Sequence, residues 1–482
     1  MSTQSVNPRT AEAFGPVFED SSPTEVDTAV SVAVTSFEAW STSAPSVRAA
    51  ALSAVADALD ANIDSLVEIA DLETGLGKPR LTGEVGRTTF QIRQFAQAIG
   101  RGDFVAPQVD VAVDAPLPAG HPELVRTMIA IGPVVVFGAS NFPFAFSVLG
   151  GDTASALAAG CTVVAKAHPA HPQTSQKVFE IASAKLPKGV LSLVHGVEAG
   201  KSLLHDHRIT AGAFTGSRAG GRALFDLANK RDTPIPFYGE LGSVNPVVEL
   251  KGGATDSPAF ATAYLDSLLL GNGQFCTNPS ILFAPEGCTI LPEIKSQIVE
   301  REAGVFLSKA TKDLHDKNRA LLATLIDGEV FTGKNSATSG FTTAPQIFLA
   351  PITAVKPEAL MVEAFGPTGL VLTFKDVEEL IATLQKMEGA LTSSIFAPVD
   401  DPDVIRVSKL LAAMSGRVSF NAWPTGVAVT AGQNHGGPYP ASTSPLHTSV
   451  GLSAITRFLR PVTFQSFPAS IQSSIITNKE GK

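Results

Sequence analysis

The chain has 482 residues, enough for about three average domains or two large ones with a sizeable core. It is 44% hydrophobic and 17% charged, with 41 Gly and 33 Pro, which fits a compact soluble protein rich in turns. A net charge of −9, with no basic block or array of stacking aromatics, argues against a phosphate backbone or an anionic membrane as partner.

The opening "MSTQSVNPRTAEAFGP" has no basic segment followed by an apolar one, so no secretory signal is read there. Cys161, Cys276 and Cys288 form no CxxC pair, and so few cysteines suit a reducing compartment. A cytoplasmic protein is expected. The first hundred residues read as helical. Ser22 is placed as an N-cap, with Pro23 at the first helical position and Glu25 completing a capping box. "SVRAAALSAVADALDANID" and "TTFQIRQFAQAIG" follow with helical spacing, the latter ending on Gly100.

Residues 127–151 carry no charge and are long enough to span a bilayer. Gly132, Pro133, Gly138, Asn141 and Pro143 break them into a strand, a turn and a helix start, which is buried core. From residue 126 short β-branched runs ("PVVVFG", "CTVVAKAHP", "VLSLVHG", "AGAFTGS") alternate with helical ones, implying βαβ units on a parallel sheet. A second set, with "SILFAP", "GLVLTF", "SSIFAP" and "RVSFNAW", runs from about 255 to 420. The fold class is α/β, with two parallel-sheet domains in tandem. Residues 108–127 and the tail "RFLRPVTFQSFPASIQ" fit neither half and read as extended arms that pair with something.

Three nucleotide signals compete. No G-x-G-x-x-G occurs, and "GVEAGKS" at 196–202 is one residue short of a P-loop. "FTGSRAGG" is the better candidate. It follows a strand and opens a helix, with Gly216 and Gly221 flanking Ser217, where free N–H groups could receive a pyrophosphate. Glycine turns of this kind are also common without any ligand.

Cys161, in "AAGCTVVA", reads as a small core hydrophobe. Cys276, in "GNGQFCTNPS", sits among amides and a proline, which suits a polar loop and a reachable thiol. A Cys–His hydrolase would need a partner imidazole, and spacing nominates none of the nine histidines. Glu240, closing the apolar run of "PFYGELGS", reads by itself as an ordinary solvated glutamate. Asn141, in "GASNFPFAF", falls in the turn after a strand, on the sheet edge where α/β proteins place ligands.

Taken in order, "SNFP", "AKAHP", "FTGS", "ELG", "GQFC" and "EAFGP" resemble the successive motifs of the aldehyde dehydrogenase superfamily, over nearly the whole chain. The resemblance implies a nicotinamide dinucleotide-binding domain (residues 1–107 and 128–242), a catalytic domain (243–452) and bridging segments (108–127 and 453–482). These would assemble a homodimer or homotetramer. It also implies Cys276 as nucleophile, Asn141 as oxyanion donor with the Cys276 backbone N–H, and Glu240 as general base. Lys166 would meet the adenosine ribose, Ser217 the pyrophosphate, and Glu363 the nicotinamide ribose, with Phe365 packing nearby. The expected partner is a small aldehyde, and no metal is expected.

Members that prefer NAD tend to carry a carboxylate three residues after the lysine, whereas "KAHP" puts Pro169 there with His168 beside it. Without a charge to repel a 2′-phosphate, and with Lys166 and Lys201 near, NADP is expected over NAD. Lys201 reads equally as a solvated lysine at a helix start. "ELGSVNP" departs from the commoner "ELGGK". The stretches "KAHPAHP", "GQFCTNPS" and "HGGPYPASTSPLHTSVG" are most similar to the α-ketoglutaric semialdehyde (2,5-dioxopentanoate) dehydrogenases. That subgroup implies a semialdehyde with an acidic far end, for which Arg93 is a candidate anchor. Phe142, Phe144, Phe146 and Trp423 are candidates for the pocket wall. A broad fatty or aromatic aldehyde dehydrogenase and a non-catalytic nucleotide-binding or scaffold protein are the alternatives.

Overall fold

The computed structural model describes residues 2–104, 106–335, 339–468 and 470–471. Two sheets dominate. The first has five parallel strands in the order Leu191–Val194, Val163–Lys166, Val134–Phe137, Ala211–Thr215, Phe237–Glu240. Val134–Phe137 is buried at every position, because helices cover both faces of the sheet and its side chains meet only other apolar groups. The chain runs outward from this central strand on one side, then returns to its other side. The strand order therefore reverses between Val134–Phe137 and Ala211–Thr215.

The second sheet has seven strands in the order Glu329–Thr332, Gln346–Pro351, Thr368–Phe374, Ile281–Pro285, Pro246–Glu249, Ala390–Phe396, Ser415–Phe420. All pairs are parallel except the edge pair Glu329–Thr332 with Gln346–Pro351. A third, antiparallel sheet joins Gln108–Asp110, Leu124–Ala130 and Leu459–Gln465. The two segments read as arms thus pair with each other, while residues 472–482 of the C-terminal one lie outside the described residues. Among the described residues no helix is long and apolar enough to cross a membrane.

Helix Pro23–Ser41 starts as its sequence dictates. Glu25 N–H donates to the Ser22 hydroxyl at 3.3 Å, and Ser22 N–H donates to the Glu25 carboxylate at 2.7 Å. Ahead of it lies a feature the helical reading of the first hundred residues omits, the hairpin Ser2–Asn7 with Glu12–Glu19. The first strand is half-buried with only Ser5 fully buried and the second is mostly exposed, so they lack a clear hydrophobic alternation. They are held by distant partners: the Ser5 hydroxyl donates to Glu73, a fully buried carboxylate that also accepts the N–H groups of Gln173 and Thr174.

The return to the third sheet is fastened by one buried ion pair. Arg457, in the turn Leu452–Phe458, places Nη2 2.8 Å from Asp152 on helix Gly151–Ala159, with both side chains under a tenth exposed. Removing one partner strands the other charge out of water. Asp152→Ala should therefore lower unfolding stability by about 3–5 kcal/mol, and the double change with Arg457→Met should recover most of that loss in denaturant titration.

Candidate active site

A cavity of about 860 Å³ opens between the two large sheets. It lies at the carboxyl ends of Val134–Phe137 and Ala211–Thr215, the reversal point at which open α/β sheets receive ligands. Gly138 and Ser140 line it after the first strand, and residues 214–220 after the second. His168, Pro169 and Ala170 also line it, as do Glu363, Phe365 and Glu388 from the other half of the chain.

Helix Arg218–Asn229 begins at this cavity. Gly220 N–H donates to the Ser217 hydroxyl at 3.3 Å, and the remaining N–H groups of the first turn give the opening a partial positive charge. Gly216 lines the space. Gly221 serves packing instead, since a Cβ there would come within 2.1 Å of Leu241. The Arg218 guanidinium bonds Glu388 in two parallel contacts of 2.5 and 2.9 Å, tying the helix start to the opposite wall.

Asn141, Glu240 and Cys276 converge on the same cavity. Asn141 Nδ2 donates to the Gln274 carbonyl at 3.0 Å, and Arg80 Nη2 donates to the Asn141 carbonyl at 2.8 Å. Cys276 lies in a turn between helix Ser257–Leu269 and strand Ile281–Pro285. Gly271, Asn272 and Gly273 enter that turn in the left-handed region (φ 58°, 60° and 69°). Gly273 is doubly required, because a Cβ would stand 2.1 Å from the Gly366 carbonyl oxygen. Asn245 Nδ2 donates to the carbonyls of Cys276 (2.8 Å) and Asn278 (3.0 Å), and Asn278 Nδ2 to that of Leu268 (2.7 Å). The amides around Cys276 are a backbone clamp.

Glu240 is 4% exposed. Its Oε1 lies 2.8 Å from His435 Nε2, and its Oε2 accepts the Ser449 hydroxyl at 2.5 Å. Burial alone would raise its carboxyl. Attraction to the His435 imidazole, with hydrogen bonds from His435, Ser449 and Cys276, outweighs burial and holds the group below its ordinary value. His435 Nε2 also lies 3.5 Å from Cys276 Sγ. Burial, and then the Glu240 charge, push the Cys276 thiol well above its ordinary value, so the resting sulfur is protonated beside a carboxylate. The Glu363 carboxylate accepts Ser243 N–H and presses on Gly242, where a Cβ would come within 2.0 Å of it; burial raises its carboxyl to about 7.

The sequence matches the aldehyde dehydrogenase family across residues 1–460. The chain belongs to that family. It is 41% identical over 472 residues to α-ketoglutaric semialdehyde dehydrogenase 2 of Azospirillum brasilense, covering 94% of this chain and 89% of that one. It is 36% identical over 476 residues to α-ketoglutaric semialdehyde dehydrogenase of Acinetobacter baylyi, covering 96% and 90%. Among solved structures, 1-pyrroline-5-carboxylate dehydrogenase from Thermus with bound NAD shares the fold with a TM-score of 0.84 at 22% identity, covering 97% of this chain and 90% of that one. The chain is thus an NAD(P)-linked oxidoreductase acting on aldehydes.

Within this family member the site fits a dinucleotide: the cavity is of ligand size, and the capped helix start offers unclaimed N–H groups to a pyrophosphate. His168, Ser217, Gly216, Glu363 and Phe365 all line it. Lys166 does not line it. It ends its strand with burial drawing its ammonium down to about 8 against the pull of Asp20. Lys201 lies on the exposed side of helix Val197–His205, paired with Glu198 at 2.6 Å. Arg93 pairs with Asp57 and Asp60 at the surface. Phe142 and Phe146 line the cavity, whereas Phe144 belongs to the core of the first half and Trp423 packs on Phe260 and Phe396 beneath the second sheet.

His435 and Ser449 were not nominated by the sequence. Both lie in a Gly- and Pro-rich loop with polar residues, which marks a loop but names no partner, and His435 is 159 residues from Cys276. Glu240, Cys276 and His435 also present three donor atoms within 4.8 Å of one another, a set able to take a thiophilic cation such as Zn²⁺. Alkylation of the resting thiol by iodoacetamide should keep rising with pH beyond neutrality. Glu240→Gln should move that rise to lower pH, because the carboxylate's charge opposes the thiolate.

Proposed function

We propose that the enzyme oxidises a small semialdehyde, 2,5-dioxopentanoate, to 2-oxoglutarate, with NADP preferred over NAD, through a covalent thioester on Cys276. The observation that carries the mechanism is the convergence of Cys276 Sγ, the ionised Glu240 and the Asn141 amide on one end of a dinucleotide-sized cavity. The substrate reading rests on the two α-ketoglutaric semialdehyde dehydrogenases that match along nearly the whole chain.

The residues act in turn. Glu240 takes the Cys276 proton through their direct hydrogen bond, while His435 and Ser449 hold the carboxylate in place. The thiolate adds to the aldehyde carbon and gives a thiohemiacetal oxyanion. Asn141 Nδ2 and the Cys276 backbone N–H are the donors to that oxygen, each worth about 3–4 kcal/mol in comparable sites. Arg80 fixes Asn141 from behind. When bound, NAD(P) would supply the hydride acceptor for this oxidation; Ser217 and the helix start would hold its pyrophosphate and Glu363 its nicotinamide ribose. Once Glu240 has passed that first proton to solvent, it draws another from water, whose oxygen attacks the Cys276 thioester; the proton then goes to the departing sulfur, releasing the acid and the free thiol.

The NADP preference is supported by the end of the cavity nearest Lys166, where His168, Pro169 and Ala170 bring no carboxylate. Burial, then His171 and Lys166, keep His168 neutral; Ala170 N–H donates to its Nδ1, leaving Nε2 as its donor. The residues N-terminal to 243, less the arm 108–127, form the cofactor half and residues 243–452 the catalytic half. The three-stranded sheet is the assembly surface of a homodimer or homotetramer.

Under turnover with 2,5-dioxopentanoate, the peptide containing Cys276 should carry the acyl mass, and Cys276→Ala should lose both the adduct and the oxidation. Glu240→Gln should form the adduct more slowly and then hold it, with deacylation slowed by about 10²–10⁴. An adduct on another residue would overturn the mechanism. A kcat/KM for NAD well above that for NADP would overturn the cofactor preference alone.

A further inference from the structure

Helix Lys78–Gly100 carries a polar stripe on its inner face. Arg80, Glu84, Arg87 and Gln91 recur at spacings of four, three and four, one side of an α-helix. Two of them brace the loop that follows the central strand. Arg80 bonds the Asn141 carbonyl, with its guanidinium 4.9 Å from the Phe142 ring and 5.0 Å from the Phe275 ring. Glu84, 4% exposed, accepts the N–H groups of Phe144 (2.8 Å) and Ala145 (3.0 Å). Gln91 packs on Gly151, its Nε2 without a partner.

Arg87 differs from the other two charged residues of the stripe. Among the described residues it makes no hydrogen bond and no ion pair, and its Nη1 is fully buried and unpartnered. Its guanidinium lies 5.3 Å over the Phe146 ring. That ring lies 6.1 Å from His435, whose Nε2 is 3.5 Å from Cys276 Sγ. Burial draws the Arg87 guanidinium down, and Glu84, the Cys276 sulfur and Glu240 pull it back through space without a hydrogen bond. A cation with five N–H donors and no anion bonded to it thus stands next to a reacting sulfur. The other arginine close to this sulfur, Arg417, has spent its guanidinium on the carbonyls of Pro424 and Gly426. Arg457 is held by Asp152.

We propose that Arg87 is the anchor for the substrate's far end, pairing with the carboxylate of a short semialdehyde while its aldehyde carbon meets Cys276. This assignment rests on the semialdehyde reading above and names the residue that enforces it. A guanidinium takes a carboxylate through two parallel hydrogen bonds, so it fixes both the charge and the orientation of the far end. Phe146 lines the cavity and Arg87, over its ring, stands just outside that lining, so the carboxylate would reach the guanidinium past Phe146. Fatty and aromatic aldehydes have nothing to offer Arg87 and would leave it unpaired.

The test compares 2,5-dioxopentanoate with pentanal, of the same chain length and no charge, on the wild type, Arg87→Met and Arg87→Lys. The ratio of kcat/KM for the acid over the aldehyde should fall by roughly 30-fold or more in Arg87→Met, chiefly through KM, and recover in part in Arg87→Lys. An unchanged ratio, or equal losses on both substrates, overturns the assignment. Binding of 2-oxoglutarate to Cys276→Ala, measured by calorimetry with and without Arg87→Met, separates the two claims. If wild type prefers pentanal yet 2-oxoglutarate binding depends on Arg87, the substrate reading fails and the anion site stands. If wild type prefers the acid and neither measurement responds to Arg87→Met, the anchor lies elsewhere.

Discussion

A carboxylate shut away from water is the constraint on which this site depends. Glu240 is ionised at 4% exposure only because His435 and Ser449 bring hydrogen-bond donors to it from a segment about two hundred residues further along the chain. That segment must therefore dock on the end of the Phe237–Glu240 strand, and it does so through backbone bonds. Leu241 N–H donates to the Ala441 carbonyl at 2.8 Å and Thr443 N–H to that of Gly239 at 2.9 Å. Satisfying one charge thus joins the last strand of the first sheet to the loop that follows the second.

The departure "ELGSVNP" gains its meaning from the same junction. The Ser243 hydroxyl bonds the Asn245 amide oxygen and receives Leu391 N–H, while the amide nitrogen of Asn245 holds the Cys276 turn. Gly242, between them, leaves room for Glu363. Within five residues after Glu240, the chain has already connected to the Cys276 loop, to the strand Ala390–Phe396 and to the carboxylate on the far cavity wall. Few of these contacts could loosen alone, since each polar atom released would be buried without a partner.

Much of the fold was legible because its signals are local. Ser22 and Glu25 make the expected cap, the β-branched runs form the parallel strands, and Asn141 follows its strand at the sheet edge. Cys161 and Cys276 separate as their neighbours suggest: one is fully buried in the core of the first half, the other borders the cavity. The hairpin Ser2–Asn7 with Glu12–Glu19 escaped because neither strand presents a buried apolar face and its fastening, Glu73, is distant in sequence. Lys201 and Arg93 looked available only because their partners, Glu198 on one helix and Asp57 and Asp60 on another, cannot be read from charge alone.

What the sequence withholds is the identity of partners across long separations, and the site is built from such partners. Glu240 reads as a solvated carboxylate until His435 is beside it, and Arg87 reads as one more polar position on an amphipathic helix until its neighbours are counted. The two cases are opposite. Glu240 is a buried charge whose demands are met by protein, so its role is fixed before any ligand arrives. Arg87 is a cation near the same sulfur to which the protein gives the charges of Glu84 and Glu240 through space but no hydrogen bond, and an unmade bond at that place selects for what comes in. The fixed charge is suited to the chemistry common to the family, and the open one to the choice of aldehyde.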